Sequence, residues 1–243
     1  MSNILEVAHL TKRFGGVTAV DDCSFGVEEH SITALIGPNG SGKTTAFNII
    51  TGYLPADSGH IVFGGVKMDR PRPAQLARLG LCRTFQQARV FNQLSSRENL
   101  VAASQPSWRQ LFGARSTSAD NERADELLAD FNLSAEANKL ARDLSYGQRK
   151  LLEFAAALIG NPQLVLLDEP SAGVNPVMIE TMERHVRSRH AAGATFLIVE
   201  HDMNLVMRLC NPVIVLDQGS PIATGTPSEI QSNSAVLDAY LGA

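Results

Sequence analysis

Two stretches of this sequence carry the residue types that bind phosphate groups. Residues 37–45 read GPNGSGKTT, which fits the pattern G-x-x-x-x-G-K-[ST] in full. Much further along the chain, residues 144–151 read LSYGQRKL, which places a small polar residue and a glycine at the start of an amphipathic helix. Backbone N–H groups at a helix start attract anions, so this stretch is a second candidate phosphate site.

The first stretch has a chemical reason for each residue type. It lies between an apolar run at 31–36, which predicts a buried strand, and a helical pattern at 46–51. Glycines let the backbone turn tightly and approach phosphate oxygens. Lys43 is predicted to face the β- and γ-phosphates, and the Thr44 hydroxyl to bind Mg²⁺. The predicted phosphate loop comprises Gly37, Pro38, Asn39, Gly40, Ser41, Gly42, Lys43, Thr44 and Thr45.

A pair of acids follows a second apolar run. Residues 164–167 read LVLL between two prolines, which suits a parallel strand buried on both faces, and Asp168 and Glu169 come next. Open α/β sheets bind their ligands at the carboxyl ends of the strands. We expect Asp168 to hold Mg²⁺ and Glu169 to act as the general base on water. The alternative is a surface acidic pair that merely ends a strand.

A histidine follows a third apolar run. Residues 195–199 read TFLIV and His201 comes two positions later, where its ring could contact a γ-phosphate. On spacing alone, a purely structural role for this histidine stays open.

The order of these motifs along the chain resembles that of the ATP-binding subunits of ABC transporters. Residues 144–148, LSYGQ, are similar to the signature motif of that family. Gln86 in RTFQQ matches the family's loop glutamine, and His201 its switch histidine. Phe14 stands where an aromatic residue stacks on adenine, although a core role for this ring stays open.

The resemblance implies a use for the second phosphate site. ATPase subunits of this family pair head to tail, so Ser145, Gly147 and Gln148 would serve the partner's ATP. Gln86 would sense the phosphate and metal at the chain's own ATP and contribute a ligand to Mg²⁺. The alternative is that Ser145 only caps a helix. The implied cofactors are ATP and Mg²⁺.

Two residues depart from the family pattern. Tyr146 replaces the usual first glycine of the signature, so its side chain has to point away from a phosphate or fill space beside it. Asn175 replaces the usual aspartate in the loop after the acid pair, which keeps hydrogen bonding but removes a charge.

Composition and charge disfavour several classes of protein. The net charge of −4 disfavours a nucleic-acid role, and no apolar run approaches the roughly 18 residues of a membrane span. The N-terminus lacks the apolar core of a signal peptide. Three widely separated cysteines form no disulfide or metal pattern, which favours a reducing compartment. Together with these observations, the family resemblance implies a peripheral protein at the cytoplasmic face of the cell membrane, in membrane contact only through permeases.

The predicted fold class is α/β. A P-loop NTPase core with a mostly parallel sheet and an N-terminal antiparallel β subdomain would span residues 1–87 and 161–243. A helical subdomain would be inserted at about 88–160. Within it, residues 105–120 mix the single tryptophan with polar residues, which predicts either a partner surface or a loop folded onto the subdomain.

Within the family, the resemblance extends to the ATPases of branched-chain amino acid importers. It rests on RTFQQARVF, LSYGQRK, DEPSAGVNP, VEHDMNLVM and the terminal AYLG. It implies a second ATPase subunit (a paralogue or a copy), two transmembrane permease subunits and, indirectly, an external substrate-binding protein. The alternatives are a sibling importer for urea, amides or other amino acids, a lipopolysaccharide exporter, or a soluble ABC ATPase.

Overall fold

The computed structural model describes residues 2–104 and 117–241. Residues 105–116, which carry most of the predicted partner surface, lie outside the described residues, so that prediction stays a prediction. The strands described are β1 (Asn3–Phe14), β2 (Val17–Glu28), β3 (Ile32–Ile36), β4 (Ser58–Phe63), β5 (Val66–Met68), β6 (Leu81–Arg83), β7 (Leu164–Asp168), β8 (Thr195–Val199), β9 (Val213–Asp217) and β10 (Ser220–Gly225).

The helices described are α1 (Lys43–Ile50), α2 (Pro73–Arg78), α3 (Ser96–Ala103), α4 (Ser118–Asp130), α5 (Tyr146–Leu158), α6 (Pro176–Ala191), α7 (Met203–Leu209), α8 (Pro227–Ser232) and α9 (Ser234–Leu241). None of them is long and apolar enough to span a bilayer.

The strands form two sheets, as predicted. The larger sheet has the order β10-β9-β3-β8-β7-β6, and its pairs are parallel except for β10 with β9. The smaller sheet, β2-β1-β4-β5, is antiparallel and contains the N-terminal strands. The fold therefore has a mostly parallel core sheet and an antiparallel β subdomain.

The central strands are apolar on both faces because each face packs against a different core. In β3, Ala34 and Ile36 contact the core shared with the helices, whereas Leu35 contacts the core shared with α1 and the smaller sheet. In β7, Val165 and Leu167 alternate with Leu166 in the same way. Residues on a strand alternate between faces, so burial on both sides requires an unbroken apolar run.

Between β6 and β7 the described residues are mainly helical, as expected. Helices α3, α4 and α5 pack together, and the rings of Phe131 and Phe154 meet edge to face with centroids 5.6 Å apart. The exact limits of a separate subdomain stay a prediction.

One element boundary differs from the prediction, and two others are set by local contacts. Helix α1 begins at Lys43 rather than 46, because the phosphate loop runs directly into it. Strand β1 extends to Phe14, since the turn at Gly15 pairs Phe14 with Val17. Helix α4 begins at Ser118, because Thr117 forms a reciprocal cap with Asp120.

Candidate nucleotide site

The phosphate loop connects β3 to α1 at the carboxyl end of the larger sheet. Gly37 and Gly42 have positive φ angles of 150° and 99°. A Cβ at Gly37 would collide with the Leu216 carbonyl oxygen, and one at Gly42 with the Ala19 carbonyl oxygen. These two positions therefore require glycine for close backbone approach as well as for conformation.

Lys43 is buried within this loop. Its Nζ donates to the carbonyl oxygens of Gly37 and Pro38, each at 2.8 Å, and to Ser41 Oγ at 3.2 Å. Burial lowers the pKa of its ammonium group, and the negative charge of Glu169 opposes that shift. The loop thus holds a cation at its centre, on the side that faces the acid pair.

Asp168 lies at the end of β7 and is paired with an arginine that the sequence analysis missed. The Asp168 carboxylate accepts from Arg83 Nη2 at 2.7 Å, and only 6–7% of each side chain is exposed. Arg83 Nη1 also donates to Asn48 Oδ1 and Thr51 Oγ1 of the α1 segment, at 2.8 and 2.7 Å. Arg83 therefore fixes the acid strand against the helix that follows the phosphate loop.

Glu169 joins two other predicted residues. Its Oε2 accepts from Gln86 Nε2 at 2.8 Å, and its Oε1 lies 2.8 Å from His201 Nε2. Its backbone is left-handed, with φ 46°, and its N–H donates to the Val199 carbonyl oxygen at 2.9 Å. The structure thus brings Gln86, Glu169 and His201 into one hydrogen-bonded group.

His201 is supported by a buried acid that the sequence analysis did not select. Glu200 is 2% exposed and accepts from the backbone N–H groups of Ser171, His201 and Asp202, at 2.8, 2.9 and 3.3 Å. These bonds connect the turn after β8 to the turn after the acid pair.

The signature motif opens α5. Ser145 Oγ accepts from the Gln148 N–H at 3.2 Å, and Gln148 Oε1 accepts from the Ser145 N–H at 2.9 Å. Ser145 is thus a helix cap, as the alternative interpretation expected, but a hydroxyl that accepts one bond still has a proton to donate. A Cβ on Gly147 would collide with the Met178 sulfur of α6, so the Met178 side chain would have to move to admit a larger residue there.

The two departures from the family pattern have structural roles. The Tyr146 hydroxyl donates to the Gln86 carbonyl oxygen at 3.3 Å, and its ring lies against Gly173. Asn175 caps α6, and its Oδ1 accepts from the Met178 N–H at 3.0 Å. An asparagine meets this capping requirement as well as an aspartate does.

The Phe14 ring is 49% exposed, with Lys12 Nζ 5.6 Å from its centroid. This exposure does not suit a core role, and stacking on adenine stays a prediction.

The residues predicted to bind Mg²⁺ carry hard oxygen donors, the type of ligand that this ion prefers. They are the exposed Thr44 hydroxyl on α1, the Asp168 carboxylate and the Gln86 side-chain oxygen. The described residues contain no cluster of three or more His, Cys, Asp or Glu suited to a metal. An ion held partly by phosphate oxygens does not require such a cluster, so these residues fit Mg²⁺.

Comparison with known proteins shows which family this chain belongs to. The model of the ABC transporter family matches residues 20–172. The chain belongs to this family. It is therefore an ATP-binding subunit that hydrolyses ATP, as its motifs predicted. A second model, that of the branched-chain amino acid ATP-binding cassette transporter, matches residues 220–243.

Curated relatives match almost the whole length of the chain. The high-affinity branched-chain amino acid transport ATP-binding protein BraF of Pseudomonas aeruginosa is 39% identical, with 98% of each chain covered. The corresponding protein LivG of Escherichia coli K12 is 36% identical, again with 98% of each chain covered. A solved ATP-binding cassette of an ABC transporter in its ADP conformation has a TM-score of 0.87 at 33% identity, covering all of both chains. The likeness confirms the predicted P-loop NTPase fold.

Lys43→Ala is expected to weaken ATP binding by about 10- to 100-fold, because a hydrogen bond to a charged group contributes about 1.5–3 kcal/mol. Calorimetric titration with a non-hydrolysable ATP analogue measures the effect. Lys67→Ala, an exposed lysine on β5, is the matched control. An unchanged dissociation constant in Lys43→Ala would contradict the assigned role.

Glu169→Gln is expected to lower kcat for ATP hydrolysis by about 10²–10⁴-fold, the usual contribution of a general base. The amide preserves the size of the side chain, so the dissociation constant for ATP should stay within about twofold. Phosphate release and nucleotide titration measure the two quantities, with exposed Glu126→Gln on α4 as control. Normal turnover in Glu169→Gln would exclude it as the base.

Proposed function

We propose that this ATPase energises an importer of branched-chain amino acids. The observation that carries the proposal is the match of the C-terminal residues 220–243 to the branched-chain amino acid transporter model. Relatives at 36–39% identity over 98% of the chain, named for the same transport, support it.

In the proposed mechanism the phosphate loop binds the triphosphate first. The N–H groups of the loop and the start of α1 face the phosphates. Lys43 exchanges its bonds to loop oxygens for phosphate oxygens, and Phe14 stacks on the adenine. Thr44, Asp168 and Gln86 would hold Mg²⁺, which when bound neutralises charge on the β- and γ-phosphates.

Hydrolysis then uses the hydrogen-bonded group of Gln86, Glu169 and His201. A water oxygen forms a bond to the γ-phosphorus, its proton passes to the Glu169 carboxylate, and the bond from the γ-phosphorus to the leaving oxygen of ADP breaks. His201 and Gln86 orient this carboxylate, since each bonds one of its oxygens at 2.8 Å. In this proposal the same two side chains also respond to the phosphates of the bound nucleotide.

The second phosphate site serves a partner. In a head-to-tail pair, Ser145, Gly147 and Gln148 at the start of α5 face the γ-phosphate held by the other ATPase subunit. ATP would then close the pair and hydrolysis would reopen it. The partner is a paralogue or a copy of this chain, and the pair docks on two permease subunits at the cytoplasmic face of the cell membrane. An external binding protein delivers the substrate to the permeases.

The direct test is uptake of radiolabelled leucine, isoleucine and valine in the source cell. A strain carrying Glu169→Gln is compared with wild type, with urea and an unrelated amino acid as control substrates. We expect uptake of the three branched-chain amino acids to fall at least about tenfold, following the loss of general-base catalysis, while control uptake is unchanged. Unchanged uptake of the three, with loss of urea or another substrate, would overturn the proposed substrate.

A further inference from the structure

One face of the signature helix contacts the loop that carries Gln86. Tyr146, Lys150 and Glu153 are spaced four and three residues apart on α5, so their side chains project from the same face. All three bond to backbone atoms of residues 85–89. We refer to these three residues as the clasp.

Glu153 bonds to the backbone before and after Gln86. Its Oε1 accepts from the backbone N–H groups of Phe85 and Arg89, at 3.2 and 3.0 Å. The residue is 6% exposed, and its Oε2 is buried with no hydrogen-bond partner among the described residues. Burial raises the pKa of this carboxyl to about 7, although the hydrogen bonds from the Phe85 and Arg89 N–H groups act to lower it. A buried acid destabilises a core unless it is bonded, and here its bonds go to the loop.

Lys150 connects the same loop to the acid pair. Its Nζ donates to the Phe85 carbonyl oxygen at 3.4 Å and to the Glu169 carbonyl oxygen at 3.2 Å. The residue is 3% exposed, and burial lowers the pKa of its ammonium group. At the start of the helix, the Tyr146 hydroxyl adds a bond to the Gln86 carbonyl oxygen at 3.3 Å.

We propose that Tyr146, Lys150 and Glu153 are positioning residues that couple the loop of Gln86 to the signature helix. Any shift of Gln86 against the chain's own nucleotide would move α5 and, with it, Ser145, which faces the partner's nucleotide. The clasp is a contiguous path between the two sites, made of hydrogen bonds from one helix. Two of its three side chains, Lys150 and Glu153, are buried. The proposal rests on the head-to-tail arrangement proposed above.

The experiment combines hydrogen exchange with steady-state kinetics on the full chain. Glu153→Ala removes the acceptor, whereas Glu153→Gln keeps an acceptor oxygen of the same reach. Tyr146→Phe removes a single hydroxyl from a 39% exposed ring and leaves the core intact. Glu126→Ala, an exposed glutamate on α4, is the matched control, and melting temperatures identify any variant that fails to fold.

For Glu153→Ala we expect amide exchange over residues 84–90 to be about tenfold faster, since two amides lose their acceptor. We expect kcat to fall by about 10- to 100-fold, because small displacements of a catalytic group are costly. The dissociation constant for ATP should stay within about twofold, since the phosphate loop is not changed. Glu153→Gln should restore most of the slow amide exchange and most of the wild-type kcat. Tyr146→Phe should lower kcat with no change in melting temperature.

Unchanged exchange in Glu153→Ala, or wild-type kcat in both Glu153→Ala and Tyr146→Phe, would overturn the proposal. If Glu153→Ala does not fold, the kcat values of Glu153→Gln and Tyr146→Phe relative to wild type decide whether the proposal holds. Failure of the proposed function gives a different result: unchanged uptake of leucine, isoleucine and valine contradicts the proposed transport role, while exchange and kcat still test the clasp.

Discussion

The rest of the site depends on the two hydrogen bonds made by the Glu169 carboxylate. Both of its oxygens are engaged, one by Gln86 and one by His201, and these residues follow different strands. The group can form because β6, β7 and β8 are parallel neighbours, so their carboxyl ends meet at one edge of the sheet. The apolar runs that bury these strands are therefore what assembles the catalytic group.

Buried charge holds this edge together. Arg83 pairs with Asp168 and reaches the α1 segment, while Glu200 accepts three backbone N–H groups around His201. Buried ions are unfavourable unless they are bonded, and these bonds restrict the loops rather than add to the apolar core. The site is thereby held in place before any nucleotide binds, which lowers the cost of ordering it later.

Much of this arrangement was predictable from the sequence. The runs at 31–36, 164–167 and 195–199 predicted the three strands that place Lys43, Glu169 and His201, since an unbroken apolar run suits a strand buried on both faces. The residues that were missed share a different property. Arg83, Lys150, Glu153 and Glu200 bond to backbone or to polar groups distant in sequence, and such contacts leave no periodic pattern. Their one local signal is a charge placed within or directly beside an apolar segment.

The central claim is that this chain's two phosphate-binding stretches serve two different nucleotides. The most direct test is Ser145→Arg, with nucleotide affinity measured on the isolated chain and the hydrolysis rate measured on the assembled transporter. If the start of α5 faces the partner's phosphate, the dissociation constant of this chain for ATP should stay within about twofold while hydrolysis falls by at least about tenfold. Weakened ATP binding by the isolated chain, or an unchanged hydrolysis rate, would show that the signature stretch does not serve the partner's nucleotide.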